Sequence, residues 1–95
     1  MAEQLDILVF GTGSFAARIV FDLAATATRP VSVGVAGRNL ERLSWLRIAA
    51  NARAAVFGRP ARITSLPIDL SSSDPIVELI SERRPAVIVQ AASST

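Results

Sequence analysis

The sequence predicts an α/β protein, a parallel sheet with helices on both faces in the order βαβαβαβ. Three observations predict it. Short apolar runs rich in β-branched residues alternate with longer segments whose apolar residues recur every three or four positions. Gly or Pro stands at most of the junctions, where a chain must turn. The first junction, Leu5 to Leu23 (LDILVFGTGSFAARIVFDL), passes from an apolar run through Gly11-Thr12-Gly13 directly into a helical pattern. Ninety-five residues suffice for one domain with a modest core.

Each element follows from its residues. Ile7 to Phe10 is the first strand. The first helix runs from Ser14 to Ala27, with Phe15, Ile19, Val20, Leu23 and Ala27 on its apolar stripe and Gly13 or Ser14 as its cap. Arg29-Pro30 stops it, because a residue before proline avoids the helical region. Val31 to Ala36 is the second strand, β-branched and punctuated by small residues, as suits a sheet covered on both faces. Asn39 caps the second helix, with Glu41 in its first turn and Leu40, Leu43, Leu46 and Ala50 on one face; it runs to about Val56. Trp45 falls off that stripe and reads as a partly buried packing residue. Ala61 to Leu66 is the third strand. Asp74 caps a third helix with Pro75 at its first position, Ile76, Leu79 and Ile80 inward, and Arg83-Arg84 at its negative end. Ala86 to Ala91 is the fourth strand. Right-handed crossovers, with the first and third helices on opposite faces, give the strand order 3-2-1-4, half of a doubly wound Rossmann-type fold.

Composition narrows the chemistry. The chain contains no His, Cys, Lys or Tyr, which supply most general bases, nucleophiles and metal ligands. Catalytic residues and a metal site are therefore not expected from this chain alone. The absence of cysteine removes any disulfide framework and fits a reducing cytoplasm. The net charge is +2, carried entirely by arginines interleaved with alanine, which is a solvated surface and not a nucleic-acid footprint. No apolar run reaches membrane-spanning length, and the acidic start is no secretion signal.

The chemistry that remains is binding. Gly11, Gly13 and Ala16 fall on the small positions of G-x-G-x-x-G/A. Gly11 turns the chain off the strand. Gly13, without a Cβ, lets a pyrophosphate reach the backbone, and Ala16 lets helix and strand pack closely. The free amides of Thr12 to Ala16, through Ser14 and Phe15, would then face the phosphates from the positive end of the helix. At the end of the second strand, where an NAD site usually carries Asp or Glu, stand Gly37 and Arg38, followed by Asn39. With no carboxylate expected nearby, the Arg38 guanidinium suits a 2′-phosphate, so NADP is expected and NAD less so. Arg42 would either assist it or face water. Asp69, with Leu70, reads either as an acceptor for adenine or as a turn-former. Gln90 to Ser93, with Ala91 and Ala92, border the nicotinamide ribose.

The segments FGTGSFAARIVFDLA (Phe10 to Ala24), VAGRNLERL (Val35 to Leu43), LPIDLSS (Leu66 to Ser72) and PAVIVQAAS (Pro85 to Ser93) resemble the N-terminal NADP-binding domain of saccharopine dehydrogenase-like oxidoreductases. The resemblance spans nearly the whole chain. It departs from the family at Gln90-Ala91-Ala92-Ser93, where such proteins often end the strand in Asn-Ala-Ala-Gly. It implies that residues 1–95 are the cofactor half of a larger enzyme, whose second domain supplies the substrate site. The nicotinamide would carry the hydride chemistry. A different class is a non-catalytic NAD(P)-sensing or interaction module. If the chain is such a cofactor half, the fourth strand is expected to be an unpaired apolar edge that pairs with a second copy through Val87 to Gln90.

Overall fold

The computed structural model describes residues 4–92. Its elements are β1 (Ile7–Phe10), α1 (Ser14–Thr26), β2 (Val31–Gly37), α2 (Leu40–Val56), β3 (Ala61–Pro67), α3 (Ser73–Arg83) and β4 (Val87–Gln90). All strands are parallel, in the order β3-β2-β1-β4. The expected α/β architecture and strand order are therefore those of the folded chain. The expected edge strand is β4, where Val87 and Ile88 are about half exposed. Among the described residues, no helix is long and apolar enough to cross a membrane.

Alternation along the strands sorts side chains into two layers. Val9, Val33, Val35 and Ile63 face α1 and α2, and pack with Ala16, Ala17, Val20 and Ala24 of the first and Leu43, Leu46, Ala50 and Ala54 of the second. Leu8, Phe10 and Ala36 face the other way and join Leu5 against Ile76, Leu79 and Ile80 of α3. Alanines on the inner stripe of α1 let that helix lie close to the sheet. Gly34 serves the opposite layer, where an added Cβ would lie 2.6 Å from Leu5 Cδ1 and 2.8 Å from Leu66 Cδ1.

Polar links hold the elements in register. Asn51 on α2 donates from Nδ2 to the Ile63 carbonyl and accepts at Oδ1 from the Ile63 N–H, both at 2.9 Å. One side chain thus satisfies both main-chain groups of a residue on the β3 edge. The Leu5 N–H donates to the Arg83 carbonyl and Gln4 Nε2 to that of Arg84, so the segment before β1 takes up carbonyls left over at the end of α3.

Several expectations need adjustment. Phe15 and Leu40, placed on inward stripes, are 58% and 64% exposed. Both lie in the first turn of their helices, beyond the strand ends, where no sheet remains to pack against. Helix α1 stops one residue short of Ala27, which is its C-cap, with its N–H still bonded to the Leu23 carbonyl. Strands β2 and β3 each run one residue further than expected, pairing Gly37 with Pro67, while β4 is shorter by one residue at each end. The cap of α3 is Ser72, not Asp74. Asp74 and Pro75 instead occupy the first turn, because a proline without an N–H is accommodated anywhere in that turn. Arg84 closes the helix in the left-handed region at φ 44°, ahead of Pro85.

Candidate functional site

All four strands point their carboxyl ends at one edge, and the loops leaving them form a mouth. Helix α1 departs from β1 to one face and α3 leads into β4 from the other, so the mouth opens where the winding reverses. A cavity of about 530 Å³ lies there, lined by the 11–15 turn, by Gly37, Arg38 and Asn39, and by Leu70, Ala91 and Ala92. Eleven of the thirteen residues expected to bind cofactor meet on its wall. The other two are Ala16, which is fully buried under α1, and Asp69, which lines an adjoining hollow of about 210 Å³ with Arg38, Leu70, Ser71 and Ala92. Ser93 lies outside the described residues.

The glycines have separable roles. Gly11 sits at φ +121°, and a Cβ there would lie 2.8 Å from the main chain of Ala91 and Ala92. Its own N–H donates to the Ala36 carbonyl, and the Phe10 carbonyl accepts from the Ala91 N–H. Gly11 thus gives both the turn and the contact between the ends of β1 and β4. Gly13 differs: it is the N-cap of α1 with an ordinary φ of −76°, and a Cβ on it would meet nothing within 4 Å. The fold does not demand glycine at that point; a close neighbour at the open side would. The end of α1 carries no side-chain cap and no acidic residue in its first turn. The amides of that turn have no intrahelical acceptor and the positive end of the helix is uncompensated. Gly37 matters for a reason that sequence reasoning missed, since a Cβ there would lie 2.8 Å from Thr12 Cγ2. Its smallness seats the 11–13 turn against β2.

Arg38 is exposed on the rim. Asn39 does cap α2, its Oδ1 accepting from the Arg42 N–H at 3.1 Å. Arg42 neither points at a second anion position nor faces water. It is partly buried, its Nε donates to the Thr12 carbonyl at 2.9 Å, and its guanidinium lies 4.5 Å from the centre of the Trp45 ring. Trp45 in turn meets Phe21 of α1 edge-to-face at 5.3 Å. The packing role read for Trp45 is the one it has, though much of the ring stays exposed.

Asp69 takes the turn-forming alternative. Its Oδ1 accepts from the Ser71 hydroxyl at 2.7 Å and from the Ser71 N–H at 2.9 Å. The Ser71 hydroxyl first, then the Ser71 amide, hold the carboxyl below its ordinary value of 3.8; desolvation opposes them and the charge of Arg38 adds to them. This corrects the expectation of no carboxylate near Arg38. None stands at the end of β2, but Asp69 reaches the same rim from the loop after β3, which adjacency in sequence does not reveal. Gln90 folds back onto its own loop, its Oε1 accepting from the Ala92 N–H at 3.1 Å.

No protein-family model matches this chain, and no curated protein matches it. A solved structure, that of protein Rv1636 from Mycobacterium tuberculosis H37Rv, is similar to it with a TM-score of 0.59 and 21% identity, covering all of this chain and 79% of the other. At that identity the likeness speaks for the α/β fold alone.

Proposed function

We infer that the mouth binds a nicotinamide dinucleotide, with NADP favoured over NAD, and that the chain is the cofactor-holding part of a saccharopine dehydrogenase-like oxidoreductase. One observation carries this reading: a single cavity joins the uncapped end of α1, a glycine whose missing Cβ the fold does not require, and a guanidinium across the opening. Main-chain amides and a helix N-terminus suit a diphosphate, and a planar guanidinium suits a further phosphate. The residues therefore fit the group. Gly11 to Ala16 would hold the pyrophosphate, Arg38 the 2′-phosphate, Leu70 the adenine side on the loop that Asp69 shapes, and Ala91 and Ala92 the nicotinamide ribose. When bound, the cofactor supplies hydride transfer, while this chain binds and orients it.

The polar side chains on the cavity wall are those of Thr12, Ser14, Arg38 and Asn39. None is a His, Cys, Lys, Tyr or carboxylate, the side chains that most often carry acid–base and nucleophilic chemistry. This favours binding without catalysis by the chain on its own, as a sensing or interaction module would do; the substrate domain of the enzyme reading would supply the acid–base groups. Calorimetric titration with NADP and NAD tests the cofactor assignment. NADP is expected to bind more tightly, and Arg38→Ala to weaken NADP by about tenfold or more, the worth of a charge-assisted hydrogen bond of about 1.5–3 kcal/mol, with NAD little changed. Tighter NAD binding, or NADP affinity indifferent to Arg38, would overturn it.

A further inference from the structure

We propose that Arg42 is the positioning residue of the glycine turn: it fixes the peptide plane between the two glycines and so aims the amide that follows. The proposal rests on the dinucleotide reading for its consequence, and on the geometry of the turn alone for its mechanism.

Thr12 lies between Gly11 and Gly13, two residues with little steric preference of their own. A turn built this way is free to rotate its peptide planes unless something outside it holds them. The holder is Arg42, whose Nε donates to the Thr12 carbonyl at 2.9 Å across thirty residues of sequence. In a trans peptide the carbonyl and the following N–H point in opposite directions within one plane. Drawing the Thr12 oxygen toward α2 therefore turns the Gly13 N–H away from α2. Gly37 completes the seat, since only the lack of a Cβ there leaves room for the Thr12 side chain against β2.

The anchor is itself anchored. The Arg42 guanidinium stacks over Trp45 at 4.5 Å, Trp45 abuts Phe21 at 5.3 Å, and the Arg53 guanidinium lies 5.8 Å from the centre of the Phe21 ring and 5.9 Å from that of Phe57. Two guanidinium groups and three rings thus form one chain of contacts along the outer seam between α1 and α2. A planar guanidinium stacked on a ring loses less freedom when its Nε donates than an unsupported long side chain does. The same contacts tie the turn to both helices that flank it. Arg42 is absent from the cavity wall, whereas Arg38 stands on it. The two arginines therefore divide the work: Arg38 meets ligand, and Arg42 shapes the turn that meets ligand.

The division is testable with Arg42→Lys, which keeps the charge but loses the planar Nε donor, and with Arg42→Gln. Hydrogen exchange of the ligand-free chain reads the anchor directly. The Gly11 and Ala17 amides, bonded to the Ala36 and Gly13 carbonyls at the two ends of the turn, are expected to exchange about fivefold faster in both variants, with those of β1 and β2 unchanged, as loss of one hydrogen bond of roughly 1 kcal/mol would give. Titration reads the consequence. Both variants are expected to weaken NADP and NAD by a similar factor of about three to ten, leaving their ratio unaltered, whereas Arg38→Ala alters the ratio. Unchanged exchange of the Gly11 and Ala17 amides in Arg42→Lys overturns the anchor, whatever the chain binds. A loss confined to NADP, or wild-type affinity in Arg42→Lys, overturns the positioning role and makes Arg42 a charge that meets the phosphate. A wild-type chain that takes up neither dinucleotide, yet shows the exchange difference, overturns the cofactor reading and leaves the anchor standing.

Discussion

The two faces of the sheet are built to different standards. On one, α1 and α2 lie side by side and bury eight side chains between them and the strands, and Asn51 pins α2 to β3. On the other, α3 lies alone and none of its residues is fully buried; Ile76, Leu79 and Ile80 are half-covered. The contrast carries through to the mouth. The half of the mouth fed by the dense face, the 11–15 turn, is tied down by Arg42 and by the fit of Thr12 over Gly37. The half fed by the thin face, the loop of Asp69 to Ser72, has its polar groups held by local bonds of one carboxylate and one carbonyl, with Leu70 packed against the smaller core cluster. Two helices supply contacts from different directions and over-determine what lies between them, whereas one helix leaves its neighbours to local chemistry.

The comparison is most directly broken by truncating one side chain on each face. Leu46→Ala empties a fully buried site under α2 and is expected to cost about 2–5 kcal/mol in urea unfolding. Ile80→Ala on α3 is expected to cost about 1 kcal/mol, since that side chain is only partly buried. Equal costs would mean that the two faces are packed alike. A smaller effect sharpens the contrast at the mouth itself. Gly11→Ala forces a Cβ into the left-handed region against the main chain of Ala91 and Ala92, and is expected to cost about 1–3 kcal/mol. Gly13→Ala is expected to cost less than about 1 kcal/mol, the difference between glycine and alanine as a helix cap, yet to place a methyl group at the open side and weaken dinucleotide binding. Thermal melts paired with titration separate the two. The smallest effect is that of acid on the thin side. The Asp69 carboxyl is depressed in the folded state, so its contribution is present above the ordinary value of 3.8 and is lost as the pH falls through the depressed folded value. Acidification through that depressed value is therefore expected to release the Ser71 amide while leaving the Gly11 and Ala17 amides protected, which two-dimensional NMR would show.

Much of this was legible beforehand, because the governing signals are local. Alternation along Ile7 to Phe10, the glycine turn and the prolines at 30, 60, 75 and 85 are written in neighbouring residues, and they suffice for the elements and, with right-handed crossovers, for the strand order. Gly11, Arg38 and Ala91 meet in one mouth for the same reason: each follows a strand, and parallel strands end on one edge. What escaped involves pairs far apart in the chain. Nothing near Arg42 announces that its partner is the Thr12 carbonyl, nothing near Gly37 that its missing Cβ seats Thr12, and nothing near Asp69 that Arg38 shares its rim.

The sequence by itself determined the α/β layering, the parallel order and which loops surround the mouth, since periodicity and turn chemistry act within a few residues. Only the tertiary structure decided which arginine faces the cavity and which holds the turn, and that one face is dense and the other thin. Those outcomes depend on distances between elements, and distances between elements are set by packing, which no short stretch of chain encodes.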